Sequence, residues 1–195
     1  MMFGWLAHAF GTVRSCADTA AWTISRTSVR MSGPELASRL PLLGGVLYLP
    51  ACASSRPTRD VAPGWLVTRE DLAPLLQTEE LRASSMIGAD GPREWIDCFA
   101  ASGAFCARLH LLPDTDYLAW DALLSRGTSL PAAPVCPGEV ACKAAIAELL
   151  CFHTLRMASL DVLDTLPLGQ LSLLGRGIAR DVARAAAVAL EPAFD

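Results

Sequence analysis

Lysine is nearly absent from this sequence: Lys143 is the only one, and arginine supplies every other basic side chain. Arginine and lysine differ in chemistry, but the sequence does not gather the arginines around a phosphate-like site. Acidic residues outnumber basic ones by 20 to 16, which makes the formal net charge −4. An acidic chain argues against broad, sequence-independent binding to nucleic acid, and we predict no nucleic-acid partner.

Short catalytic motifs are also missing. The sequence contains no G-x-S-x-G nucleophile elbow, no phosphate-binding P-loop and no H-E-x-x-H pair. Its three histidines are His8, His110 and His153, and the close Cys and His spacings of zinc sites are absent. We therefore predict no catalytic residue, no metal and no cofactor.

The seven cysteines are an odd number, and the chain is too long to need a disulfide scaffold. Reduced cysteines that behave as small apolar residues fit this composition better. Because thiols stay reduced in the cytoplasm, we predict a cytoplasmic protein.

Long hydrophobic runs are absent as well. The longest charge-free stretch, residues 40–55, is interrupted by Pro41, Gly44, Gly45 and Pro50, and it is too short to cross a bilayer as a helix. Apolar residues nevertheless make up 52% of the chain, and the mean hydropathy is +0.36. This surplus predicts a large core or an apolar surface that contacts a partner.

The fold prediction depends on the segment from Gly138 to Pro167. Pro137 and Gly138 open it, Pro167 ends it, and apolar residues cover most of its circumference on a helical wheel. We therefore predict a mainly α-helical fold, an irregular multi-helix bundle around a central apolar helix over about residues 139–166. One short strand, Gly45–Leu49, is expected near the N-terminus.

Four other helices are expected around the central one. They begin at Thr68, at Asp90, at Asp116 and after Pro167, each beside a capping residue or a proline. The boundaries that follow are a loosely attached region over residues 1–67 and a helical domain over residues 68–195. Met31 is an alternative start to Met1.

An envelope lipoprotein is an alternative interpretation of the N-terminal region. If translation began at Met31, residues 40–48 would be an apolar signal segment, and Cys52 would follow a sequence similar to a lipoprotein cleavage site. Glu35 cancels the charge of Arg39 in front of that segment, which favours a buried strand instead.

Two groups of residues are candidate sites. Arg176, Arg180 and Arg184 are spaced four residues apart on the last predicted helix, where they would form one exposed basic stripe for a protein partner. Glu148 would interrupt the apolar surface of the central helix, with Arg156 beside it and His153 near the edge. A buried carboxylate needs a cationic partner, for which Arg156 or Arg108 is expected.

Three functions remain open from the sequence. The first is a non-enzymatic interaction, assembly or adaptor protein that contacts another protein, or a second copy of itself, through helix surfaces. The second is a small enzyme or ligand-binding bundle with an interhelical pocket near Glu148, His153 and Arg156. The third is the lipoprotein anchored at Cys52.

Overall fold

A computed structural model describes residues 23–52, 62–88, 91–131 and 144–192. Its strands are β1 Thr23–Arg30, β2 Gly45–Pro50, β3 Trp65–Val67, β4 Thr78–Gly88, β5 Gly91–Ala100, β6 Phe105–His110, β7 Thr128–Leu130, β8 Ala147–Met157, β9 Leu160–Pro167 and β10 Leu190–Glu191. Its α-helices are α1 Gly33–Arg39, α2 Tyr117–Arg126 and α3 Leu173–Ala185, with 3-10 helices over Leu40–Leu43 and Glu70–Gln77.

The predicted central helix is wrong, because this segment forms the antiparallel hairpin β8–β9. The hairpin turns at Ala158 and Ser159, and Ala158 has a φ of 53°. In the first half of β8, alternate side chains enter two different cores, with Leu149 on one side of the sheet and Leu150 on the other. A strand with both faces buried has an almost continuous apolar run, which resembles an apolar helix on a helical wheel.

The helix predicted from Asp90 onwards is also wrong, because residues 91–110 form the hairpin β5–β6. Gly103, with a φ of 79°, lies in its turn. The multi-helix bundle is therefore replaced by one mixed ten-stranded sheet, in which the strands follow the order β3-β9-β8-β2-β6-β5-β4-β1-β7 and β10 pairs with β8.

Each face of the sheet carries a different core. The larger core lies under α1, α2 and the two 3-10 helices, and it includes Tyr48, Ile96 and Trp120. The smaller core lies between α3 and strands β2 and β8, and it includes Leu47 and Ile178. The face with the larger core is called the helical face below, and the opposite face is called the α3 face.

Residues 45–50 form β2, which includes the strand predicted over Gly45–Leu49 and lies in the middle of the sheet with every residue buried. β1 and β3 also belong to this sheet, and Met31 is buried between β1 and α1. A domain boundary at residue 67 would therefore divide one continuous hydrogen-bonded sheet.

Two predicted helices are present with corrected ends. Asp116 caps α2, and its Oδ1 atom accepts hydrogen bonds from the backbone N–H groups of Leu118 and Ala119. Ser172 caps α3, which has 13 residues rather than about twenty. The helix predicted from Thr68 is instead the 3-10 helix Glu70–Gln77.

Among the described residues, no helix is both long and apolar enough to cross a membrane.

Candidate functional site

The three residues of the predicted pocket are not brought together. Glu148, His153 and Arg156 all lie on β8, but Glu148 and His153 point to opposite faces because side chains alternate along a strand. Arg156 is eight residues from Glu148, about 26 Å along the strand. It pairs instead with Asp161, at 2.7 Å between Nη1 and Oδ1.

Glu148 has the cationic partner that its burial requires, but this partner is Arg69 rather than Arg156 or Arg108. The Nη2 atom of Arg69 lies 2.6 Å from the Glu148 carboxylate and 2.7 Å from that of Asp71. The hydrogen bond to Glu148, followed by that to Asp71, raises the pKa of Arg69. Tyr48 donates a hydrogen bond of 2.7 Å to the backbone carbonyl of Asp71. These contacts tie the 3-10 helix Glu70–Gln77 to β2 and β8.

We expect Arg69→Met to lower the free energy of unfolding by about 2 kcal/mol. Glu148 and Asp71 are only 14% and 15% exposed, so both carboxylates would lose a cation in a poorly solvated place. Arg69 itself is 38% exposed, which keeps the loss below that of a fully buried pair.

Urea unfolding measures this loss, with Arg156→Met as the matched control. Arg156 is 65% exposed, so its variant should change stability by less than about 0.5 kcal/mol. Arg69, Asp71 and Glu148 are called the Arg69 cluster below. Equal losses of stability in the two variants would contradict a structural role for this cluster.

The predicted arginine stripe lies on α3, but its three members differ. The Nε atom of half-buried Arg176 donates to the carbonyl of Leu171, at 3.3 Å. Arg184 is exposed and pairs with Asp181, and Arg180 is exposed. The described structure therefore presents Arg180 and Arg184, rather than all three residues, as an exposed basic surface.

Cys52 lies two residues after the end of the buried strand β2, and its thiol donates a hydrogen bond to the carbonyl of Ala144, at 3.1 Å. Lipoprotein processing at this residue would remove β1, α1 and β2. The described fold needs β2 because it connects β6 with β8 in the middle of the sheet.

A polar groove on the α3 face was not predicted from the sequence. It lies where α3 no longer covers the sheet, over β1, β4, β5 and β6, and encloses about 30 Å³. Its lining consists of Arg26, Arg82, Ser84, Asp97, Phe99, Phe105 and Arg108.

Charged and aromatic side chains hold each other in place around this groove. Arg108 donates two hydrogen bonds to Asp97, of 2.6 and 3.0 Å, and Asp97 accepts a third from the Trp95 indole, at 3.2 Å. Arg82 pairs with Glu80 at 2.7 Å, and its guanidinium lies 4.1 Å from the centre of the Phe99 ring. These contacts fix the orientation of both guanidinium groups.

His110 lies on the same face, beside the groove. The residue is 7% exposed, and its ring is tilted by 36° against that of Trp95, with 5.9 Å between the ring centres. The Nε2 atom is buried without a hydrogen-bond partner among the described residues. Burial, and then the charges of Arg108 and Arg93, lower the pKa of His110 to about 3. The imidazole is therefore neutral at pH 7.

Exposed apolar side chains gather at one end of the molecule. Asp114 accepts hydrogen bonds of 2.9 and 2.8 Å from the N–H and the hydroxyl of Ser172, which places the start of α3 beside the loop that leads into α2. The N–H of Asp116 donates to the carbonyl of Leu43, at 2.8 Å, which brings the 3-10 helix Leu40–Leu43 to the same place.

We call this surface the apolar end and define it by five side chains that are between 54% and 83% exposed. They are Leu42, Tyr117, Leu118, Leu173 and Leu174.

Comparisons with known proteins identify no family. No family model and no curated protein sequence matches the chain. One solved structure with a weak likeness is that of holo-PhuS, a heme-binding protein from Pseudomonas aeruginosa. The two chains are 17% identical, and the alignment covers 56% of this chain and 39% of that one, with a TM-score of 0.35. A likeness this weak supports no conclusion about the fold or the function.

The groove was missed because residues 91–110 were interpreted with a helical period. That period put Trp95 and Phe99 on one face and Asp97 and Arg108 on the opposite face. The strands instead place all four on one side of the sheet. No clear signal of period two marks this segment in the sequence, because Asp97 is the one polar residue among the apolar residues 95–99.

Among the described residues, no group of three or more His, Cys, Asp or Glu side chains is arranged to hold a metal ion.

Proposed function

We propose that this chain is a non-enzymatic interaction protein that contacts another protein through its apolar end. The observation that supports the proposal is the set of exposed apolar side chains at the starts of α2 and α3 and on the 3-10 helix Leu40–Leu43, which the hydrogen bonds of Asp114 and Asp116 hold near one another. Scattered single leucines are ordinary on a protein surface, whereas a contiguous exposed apolar group is typical of a contact site.

Hydrogen bonds of a buried side chain hold the loop before α2, next to the apolar end, in place. The hydroxyl of Thr115 donates to the carbonyl of Gly45, at 2.5 Å, and accepts from the N–H of Leu112, at 2.9 Å. The loop between β6 and α2 is thereby fastened to the central strand. Because little order has to be gained when a partner binds, most of the apolar burial can contribute to affinity.

The negative charge near the apolar end indicates the charge that a partner should carry. Asp114 and Asp116 lie beside the exposed leucines, and the whole chain carries a net charge of −4. We therefore propose a partner segment whose apolar residues are flanked by lysine or arginine, since complementary charge accelerates and orients association. A ligand-binding pocket near Glu148 is less well supported, because Arg69 and Asp71 occupy the surroundings of that carboxylate.

The test is to select binding peptides from a random display library with the full chain, and to measure the affinity of each for two double variants. Leu173→Ser/Leu174→Ser should weaken binding at least about tenfold, since two anchoring side chains are lost. Leu155→Ser/Met157→Ser, at the exposed tip of the β8–β9 hairpin, is the matched control and should leave the affinity unchanged.

Sedimentation velocity of the unchanged chain and the same two variants measures their oligomeric state, which tests whether the partner is a second copy of this chain. A dimer that is lost only in Leu173→Ser/Leu174→Ser would support the proposal. Peptides that bind both double variants equally, or a monomer for which no peptide is selected, would overturn it.

A further inference from the structure

A second exposed apolar surface lies on the α3 face of the sheet, where β3, β9 and β8 pair. On this face α3 packs over β2 and over the first half of β8, which includes Leu149. Side chains at alternate positions of a strand share one face, so Leu155 and Met157 point to the same side as Leu149. Leu155 and Met157 are 40% and 59% exposed, which shows that the cover by α3 ends before them.

The strand register makes this surface continuous. Leu155 lies opposite Val162, and Val162 lies opposite Leu66 of β3, so these three side chains form one row across the strands. Met157 and Leu160 form the next row. Leu66 is 44% exposed, whereas Val162 between its two neighbours is only 5% exposed. We call this surface the sheet patch and define it by five side chains, those of Leu66, Leu155, Met157, Leu160 and Val162.

None of the five side chains of the sheet patch is charged. Arg156 and Asp161 lie in the same two strands, but they point to the helical face and pair with each other at 2.7 Å. One border of the patch is a polar row, in which His153 lies opposite Asp164. Asp164 accepts hydrogen bonds from the Thr68 hydroxyl and from a backbone N–H group. The carboxylate at this border therefore has its partners within the chain.

The charges around the two apolar surfaces favour different occupants. In a two-fold symmetric contact the same surface of both copies meets itself. At the apolar end such a contact would bring Asp114 and Asp116 towards the same carboxylates of the other copy, and like charges oppose it. At the sheet patch the centre of the contact would contain apolar side chains alone. Two sheet faces can also pack on each other, about 10 Å apart, with their side chains interdigitating.

We propose that the sheet patch binds the sheet patch of a second copy of this chain, in a two-fold symmetric dimer. Its five side chains are fewer than the roughly 20–30 residues that each partner contributes to an interface of standard size. The patch is therefore the apolar centre of a small interface, and the dimer is weak, with a Kd of about micromolar or above. This contact leaves the apolar end free for the partner proposed above.

Sedimentation velocity of the full chain, from about 1 to 200 μM, is the test, because this range covers weak association. We expect a dimer that forms as the concentration rises. Leu155→Ser/Met157→Ser should weaken it at least about tenfold, since each copy loses two side chains of the contact. Leu66→Ser changes a different strand of the patch and should weaken it as well. Ile87→Ser is the matched control, because Ile87 is 58% exposed on β4, outside both apolar surfaces.

Circular dichroism shows whether each variant is folded, and Leu66→Ser alone decides the result if the double variant is not. A chain that stays monomeric over the whole range would overturn the proposal. A dimer that is lost only in Leu173→Ser/Leu174→Ser would place self-association at the apolar end and would also overturn it.

Display-selected peptides provide the test of a different occupant. A monomeric chain whose selected peptides lose affinity only for Leu155→Ser/Met157→Ser would assign the sheet patch to another protein, against the proposal. Dimerisation through the sheet patch does not depend on peptide binding at the apolar end, so the two proposals can fail separately.

Discussion

Lowering the pH from 7 to 4.5 is expected to reduce the free energy of unfolding by about 2 to 3 kcal/mol through His110 alone. The pKa of this buried imidazole is lowered to about 3, first by burial and then by Arg108 and Arg93. An unfolded histidine has a pKa of about 6.5. Between these two values the unfolded chain binds a proton that the folded chain does not, so stability falls as the pH falls.

Urea unfolding at several pH values, with His110→Phe as the variant, measures this effect. Phenylalanine keeps a ring against Trp95 and cannot be protonated, so the contribution of His110 to the pH dependence should disappear. Carboxylates titrate in both proteins and cancel in the difference. If His110→Phe keeps the original pH dependence, the buried imidazole is not its cause.

Gly33→Ala is expected to lower the free energy of unfolding by about 3 kcal/mol or more. Gly33 begins α1 and is buried against the 3-10 helix Glu70–Gln77. A Cβ atom at this position would overlap the backbone carbonyl group of Leu76. Because backbone atoms cannot rotate away as a side chain can, α1 would have to move relative to the 3-10 helix.

Gly177→Ala in α3 is the matched control. Gly177 is exposed, and no heavy atom lies within 4 Å of its added Cβ atom. Alanine should therefore raise the free energy of unfolding by about 0.5 to 1 kcal/mol, since it reduces the freedom of the unfolded chain. Thermal or urea unfolding of the two variants gives the comparison. Changes of the same sign in both would contradict the close contact between Gly33 and Leu76.

The apolar end, the groove and the Arg69 cluster have different characters. Arg69, Glu148 and Asp71 satisfy one another and join separate elements, as expected of a structural ion pair. The apolar end leaves leucines in water, and the groove concentrates guanidinium groups around a concave space. Of the three, the apolar end has the exposed apolar side chains that a partner would cover.

The sequence alone determined local features whose cause lies within a few residues. The short helix predicted to begin at Asp116 is present as α2, because a polar side chain in front of it bonds to its first N–H groups. The capping residue is Asp116, whereas Asp114 or Thr115 was predicted. The short strand over Gly45–Leu49 was also predicted, because glycine and proline bound a brief apolar run. The need of Glu148 for a cationic partner was likewise clear from elementary electrostatics.

Only the tertiary structure decided between helix and strand over residues 91–110 and 147–167. In β8 the sheet is buried on both faces, so the alternation of apolar and polar residues that identifies a strand is lost there. The partner of Glu148 and the neighbours of Asp97 come from distant segments. Arg69 is 79 residues from Glu148 in sequence, and Arg82 reaches the groove from another strand. Strand pairing brings such residues together, and a single sequence does not specify that pairing because it is set by contacts between distant positions.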